Sequence, residues 1–291
     1  MFHVEQEKDL GLNNQYKGLV IKDFLVSGEE FSLSKNEEHG FLQTYPQPDF
    51  DDLSKYYESD AYISHTDSTK GLMAFLYQQV KGYSLRKKVS IIKKLNSGTG
   101  SLLDIGAGTG DFLKSAQKKG WKISGVEPSE KARGIATEKK ISLKESIDAV
   151  KGQKFDVVTL WHVLEHLPNL EAYIQKIESM VADGGTLIIA VPNFNSEDAI
   201  HYQDFWAAYD VPRHLWHFSQ NSMRSIFSSE FKLVKTLPML FDAFYVSLLS
   251  EKYKTGNGFS LRAFWVGLRS NLAAMKSSEY SSLIYCFKKA E

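Results

Sequence analysis

The sequence predicts an α/β protein: a doubly wound, mostly parallel sheet of seven strands, preceded by an N-terminal extension, with helices inserted before the last strand. Three observations carry this expectation. From Ser101 onward short apolar runs alternate with helical stretches; a glycine-rich turn follows directly on the first run; and an acidic residue closes the next one. Ligands bind in open sheets of this kind at the carboxyl ends of the strands.

The elements follow in order. Residues 1–68 are expected to form the extension, with short alternating runs broken by the turn Tyr45-Pro46-Gln47-Pro48-Asp49. The core is expected over 69–240. It opens with a helix from Leu72 to Leu95, where Leu72, Phe75, Leu76, Val80, Tyr83, Val89, Ile92 and Leu95 recur at helical intervals and Gly82 is a possible break. Strands are expected at Ser101–Ile105, Trp121–Glu127, Phe155–Trp161 and Thr186–Val191, with a weaker one at Ile141–Leu143. Helices are expected at Asp111–Lys119, Ser129–Lys139 and Asn169–Val181, the last stopped by Asp183-Gly184-Gly185. An aromatic loop from Phe194 to Phe218 is followed by a helix capped near Ser219 and a strand at Phe231–Leu237. Residues 241–280 form the inserted helices, and 281–291 hold the final strand, Ser282–Lys288.

Composition narrows the function. Over 291 residues, 35 Lys and Arg balance 35 Asp and Glu, so no long-range field gathers a polynucleotide or an anionic membrane, although a local basic patch is compatible with that balance. Neither nucleic acid nor membrane is expected as a partner. The single Cys286 cannot form an internal disulfide and reads as a small buried hydrophobe. The N-terminal residues lack the pattern of a secretory signal, and the expected location is cytoplasmic.

The strongest motif is Leu102-Leu103-Asp104-Ile105-Gly106-Ala107-Gly108-Thr109-Gly110, a buried strand running into glycines at alternate positions, where the main chain can adopt left-handed conformations and a ligand can approach it closely. The dinucleotide fingerprint wants its third glycine one residue later, where Asp111 stands. The second motif is Gly125-Val126-Glu127-Pro128. Glu127 lies about 20 residues past the loop, where an acid accepts hydrogen bonds from a ribose diol.

These residues, with Phe155 to Leu167 and Gly184-Gly185-Thr186-Leu187, resemble the successive motifs of class I S-adenosylmethionine-dependent methyltransferases, in particular the branch containing ubiquinone-type O-methyltransferases. The resemblance covers Ser101 to Val191. It implies a Rossmann-like fold with S-adenosylmethionine as cofactor and methyl transfer to a small-molecule acceptor, on oxygen or nitrogen. It also implies that Asp104, Gly106, Ala107, Gly108 and Gly110 border the methionine moiety. Glu127, followed by Pro128, would hold the ribose, Ser146 and Ile147 would flank the adenine, and Trp161 and His162 would close the pocket.

The stretch Tyr209 to Ser219 is similar to one following the fifth strand in that branch. It places His214, the first candidate base, beside Arg213; His166 is the other candidate catalytic residue. Glu165 and His166 are adjacent and do not face one another on a helix, so no metal is expected. The N-terminal extension is similar to a zinc-ribbon module of relatives, but Lys35 to Gly40 stands where a cysteine pair would be, so any such fold must rest on packing. A nicotinamide oxidoreductase and a non-catalytic cofactor-binding module are the alternatives. No Asn-Pro-Pro-aromatic tetrapeptide for a flipped base is present.

Overall fold

The computed structural model describes residues 19–49, 52, 54–57, 72–257 and 260–291. In chain order the strands and α-helices are β1 (Val20–Lys22), β2 (Glu30–Lys35), β3 (Leu42–Tyr45), α1 (Leu72–Leu95), β4 (Ser101–Ile105), α2 (Asp111–Gln117), β5 (Lys122–Val126), α3 (Glu130–Glu138) and β6 (Phe155–Trp161). There follow α4 (Leu170–Met180), β7 (Val181–Pro192), α5 (Glu197–Tyr202), β8 (Trp216–His217), α6 (Gln220–Ser225), β9 (Phe231–Pro238), α7 (Asp242–Thr255), α8 (Leu261–Ser277) and β10 (Ser282–Lys289). The chain divides into two compact units, within the bounds Met1–Asp67, Pro192–Ile226 and Pro238–Leu283 for the first and Ser68–Val191, Phe227–Leu237 and Ile284–Glu291 for the second. Residues 192–226, expected in the core, thus group with the N-terminal segment.

The second unit is built on a sheet of order β5-β4-β6-β7-β10-β9. β5 and β6 both pair with β4 in parallel, one on each side, so the winding reverses at β4. That reversal is the switch point where such sheets open a crevice. β4 and β6 are buried along nearly their whole length, as strands covered on both faces must be. α4 turns Leu170, Ile174, Ile177 and Met180 inward at helical spacing, and the Asn169 side chain accepts the Ala172 amide at its start. The helix from Leu72 to Leu95 runs unbroken through Gly82.

Two expectations are corrected here. Among the described residues the sheet has six strands: the weak seventh expected at Ile141–Leu143 does not form, and only an isolated bridge between the next residue, Lys144, and Val126 stands there. And Asp183-Gly184-Gly185 does not stop α4, which ends at Met180; the glycines form a bulge within β7, where Phe155 faces Val181 but Val157 already faces Thr186. A Cβ at Gly185 would lie 2.6 Å from the Ala182 carbonyl oxygen, so the bulge admits only glycine there.

The first unit holds a four-stranded antiparallel sheet, β1-β2-β3-β8. The β2–β3 turn is closed by Asn36, whose side chain accepts the Glu38 and His39 amides at 3.1 and 2.7 Å; this polar turn stands where the cysteine pair was missing. Ile21, Phe31, Leu33, Leu42, Tyr202, Trp206, Val246 and Val266 form the unit's core, joining the sheet to α5, α7 and α8. No helix among the described residues is long and apolar enough to cross a membrane.

Candidate cofactor site

The site is built at the carboxyl end of β4. Gly106, Gly108 and Gly110 all have positive φ, at 71°, 52° and 75°. Their reasons differ. A Cβ at Gly106 would collide with Val163, and one at Gly110 would press on Ala136 and Ile141, whereas a Cβ at Gly108 would meet nothing within 4 Å. Gly108 therefore turns its bare side to open space, as a main-chain cradle for a ligand does. The loop is hung from the neighbouring strand: the Gly106 and Ala107 amides donate to the Val126 carbonyl at 2.8 and 2.9 Å.

Glu127 ties the two motifs together. One carboxylate oxygen accepts the Gly108 amide at 2.8 Å and the other the Ser129 amide at 2.9 Å. A carboxylate has about four acceptor positions, so each oxygen keeps capacity for one more donor, the complement of a vicinal diol. Arg133 brackets the turn, donating to the carbonyls of Glu127 and Pro128 at 2.9 and 2.6 Å. The Glu127 amide donates to the Lys144 carbonyl, which sets the segment carrying Ser146 and buried Ile147 beside the end of β5.

Asp104 is 2% exposed. Burial pushes its carboxyl up to about 7, against the Thr159 hydroxyl, which donates to it at 2.6 Å, and the Lys88 charge, while Glu127 adds to the rise. The Lys88 ammonium stands 4.4 Å from the centroid of the Trp161 ring, which also meets Phe112 edge-on at 5.5 Å. The Trp161 indole nitrogen is buried with no hydrogen-bond partner among the described residues. His162 has φ 59°, a conformation that costs a non-glycine residue about 1–3 kcal/mol and collects at functional sites. Its amide donates to Ala190 at 2.9 Å, and its Nδ1 lies 3.4 Å from buried Glu165. His166, half-buried, ends the short turn that begins at Leu164.

A group that sequence reasoning missed fixes the far side of the loop. Lys139 donates to the Thr109 carbonyl and hydroxyl, both at 3.0 Å, and to Asp111 at 2.6 Å; Lys81 reaches the other Asp111 oxygen at 2.7 Å. Burial works to raise the Asp111 pKa, but the two ammonium groups outweigh it and hold it below the ordinary value. In the sequence Asp111 marks only the start of a helix and the place where a dinucleotide loop has its third glycine, and nothing in the spacing of Lys81 or Lys139 marks them.

Arg213 and His214 lie in the first unit. The proposed catalytic role of Arg213 is corrected: it is 1% exposed and committed to Asp23 at 2.9 Å, Asp210 at 2.7 Å and the Tyr56 carbonyl at 3.2 Å. A guanidinium so enclosed is a structural tie. His214, 8% exposed, places Nδ1 2.9 Å from the Ala208 carbonyl oxygen. A carbonyl only accepts, so Nδ1 carries a proton.

A parallel sheet reversing beside a glycine loop that is tied to a diol-accepting glutamate defines a nucleoside-binding α/β domain of the Rossmann-like class. The sequence profile described as a methyltransferase domain matches residues 77–233, over half of the chain, and the chain belongs to that family. Among curated proteins it is 31% identical over 104 residues to a ubiquinone biosynthesis O-methyltransferase of Azoarcus sp. (strain BH72), covering 32% of this chain and 45% of that one. It is 32% identical over 101 residues to the enzyme of the same name from Rhizobium etli, covering 32% and 41%. The chain thus spans less than half the length of these relatives. Among solved structures, the plantazolicin methyltransferase BamL in complex with a triazolic desmethylPZN analog and SAH superposes with TM-score 0.52 at 14% identity, over 82% of this chain and 95% of that one. Its counterpart BpumL with SAH gives 0.51 at 14%, over 82% and 94%. These two likenesses are of fold.

Proposed function

We propose that the chain is an S-adenosylmethionine-dependent methyltransferase acting on a small-molecule acceptor, most simply at oxygen, as in the relatives named O-methyltransferases. The observation that carries this reading is the Glu127 carboxylate, held by the loop's own amide and retaining one acceptor position per oxygen. Bound S-adenosylmethionine supplies a methyl group activated by a sulfonium centre. The chain's residues then bind and orient: Glu127 takes the ribose, Gly106 to Gly110 admit the methionine portion, Ser146 and Ile147 border the adenine, and Trp161 and His162 close the pocket. The Asp104 carboxylate and the Trp161 face favour a cation. His214 is the proposed base and His166 the second candidate. Catalysis comes from positioning and proton removal. The location is proposed as cytoplasmic; Cys286, buried with its thiol pushed up to about 12, is no redox handle.

Calorimetric titration with S-adenosylmethionine, S-adenosylhomocysteine and NADH tests the reading. Binding of the first two and not the third is expected. NADH binding alone would establish the oxidoreductase instead, and a cofactor bound without turnover on any screened phenol, amine or carboxylate would favour the non-catalytic module.

Two further outcomes follow from the site. Since Asp104 titrates near 7 in the folded protein and a cationic ligand prefers its ionised form, S-adenosylmethionine affinity should rise between pH 6 and pH 8. The neutral-sulfur product should show a smaller rise. A flat profile would remove Asp104 from the cation's surroundings. Lys139→Met should release Thr109 and weaken cofactor binding about threefold to tenfold, since a partly buried ion pair contributes on the order of 1 kcal/mol. Unchanged affinity would show that the loop holds itself.

A further inference from the structure

The α7–α8 pair is patterned inside out. The face of α8 that is buried is made of small residues, Ala263, Val266, Gly267, Ser270 and Ala274, and a Cβ at Gly267 would lie 2.9 Å from the Ala243 carbonyl oxygen of α7. The large apolar side chains stand opposite. Leu261, Phe264, Trp265, Leu272 and Met275 are 52–73% exposed, and with partly buried Leu268 they fill one arc of about 100° along the helix. Phe264 stacks at 5.2 Å on Phe244 of α7, which extends the apolar surface across both helices. Single exposed apolar residues need no explanation, but a contiguous stripe does. Gly267 fixes the orientation, because the stripe cannot be turned inward where the two backbones touch.

Charge identifies what covers it. Arg262, Arg269 and Lys276 recur every seven residues and form a basic column along one edge of the arc, and α8 contains no acidic residue. α7 and α8 together carry five basic residues against Asp242 and buried Glu251. Arg269 pairs with Glu197 and Arg262 lies 4.0 Å from Glu251, while Lys276 is in none of the ion pairs among the described residues. An aromatic and aliphatic arc edged by cations is the pattern of a helix lying in a bilayer interface. A second copy laid antiparallel on the stripe would bring the two basic columns together, which disfavours that pairing.

We propose that the α7–α8 face docks on an anionic lipid surface, with Phe264 and Trp265 entering the interface and Arg262, Arg269 and Lys276 at the headgroups. This revises the expectation of no membrane partner drawn from net charge: the balance holds over the chain and fails over this pair of helices. The inference rests on the first unit's surface alone, independently of the cofactor site.

Flotation of the full chain with vesicles of phosphatidylcholine, with and without one quarter phosphatidylglycerol, tests it. Binding to the anionic vesicles is expected, weakening as salt rises, and the Phe264→Ser/Trp265→Ser protein should lose at least about tenfold. Arg262→Glu/Lys276→Glu should also bind less, with circular dichroism and cofactor affinity unchanged in both. Equal binding to neutral vesicles, no binding to either, or a concentration-dependent dimer abolished by the Phe264/Trp265 changes would overturn the proposal, the last in favour of a second copy.

Discussion

Glu127→Ala is expected to weaken S-adenosylmethionine binding by at least about 100-fold. Two hydroxyl donors lose a charged acceptor, and hydrogen bonds to charged groups contribute about 1.5–3 kcal/mol each. The same substitution leaves the Gly108 and Ser129 amides without the carboxylate that fastens them, so the loop loses its anchor along with its ligand contact. Glu127→Gln retains an acceptor but gives up the charge and one acceptor oxygen, and should fall between wild type and Ala. Calorimetry on the three proteins separates the cases, with thermal melts as the control for folding. A loss under about fivefold in Glu127→Ala would take the ribose contact away from this residue and with it the argument for the cofactor.

Arg213→Met should destabilise the first unit by about 3–5 kcal/mol, the range for removing one partner from a buried ionic group. It leaves Asp23 and Asp210 facing each other across the vacated space. Burial alone would raise the Asp23 pKa, but the Arg213 bond and the Ser27 and Leu25 amides outweigh it and hold it below the ordinary 3.8. For a depressed carboxyl the stabilisation is present above the unfolded value and disappears as pH falls through the folded one. The gap between wild type and variant in a denaturant titration should thus be full at pH 7 and shrink below about pH 4. Asp23→Asn introduced with Arg213→Met should recover part of the loss. Were Arg213→Met as stable as wild type yet inactive, the residue would return to the catalytic list.

The parts of this architecture legible in the sequence are those whose cause is local. The strand Ser101–Ile105, the alternate glycines, the helical periodicity from Leu72 to Leu95 and the helices beginning near Ser129 and Asn169 follow from patterns within a few residues, and the structure places them there. Glu127 was found because its register with the loop is fixed by one strand and one helix. What was misread depends on partners far along the chain. Arg213 looks like a substrate clamp until Asp23, 190 residues earlier, closes on it. Thr44 takes its partners from His214 and His217, 170 and 173 residues on, and this distant pairing draws the segment after β7 out of the predicted core. Gly184 and Gly185 carry the composition of a helix stop, and only the jump in pairing between β6 and β7 reveals a bulge. Lys139 carries no motif at all.

The boundaries of the two units have a practical corollary. The polypeptide passes from one unit to the other five times, at 67/68, 191/192, 226/227, 237/238 and 283/284. Neither unit is therefore encoded by an uninterrupted stretch, and dissecting the gene cannot deliver the nucleoside-binding half by itself. A fragment ending at Val191 would lack the strands from 227–237 and 284–291 that complete its sheet, exposing the edge of β7 as a template for aggregation. Domain-swapped chimeras with other members of the family would have to exchange several segments together.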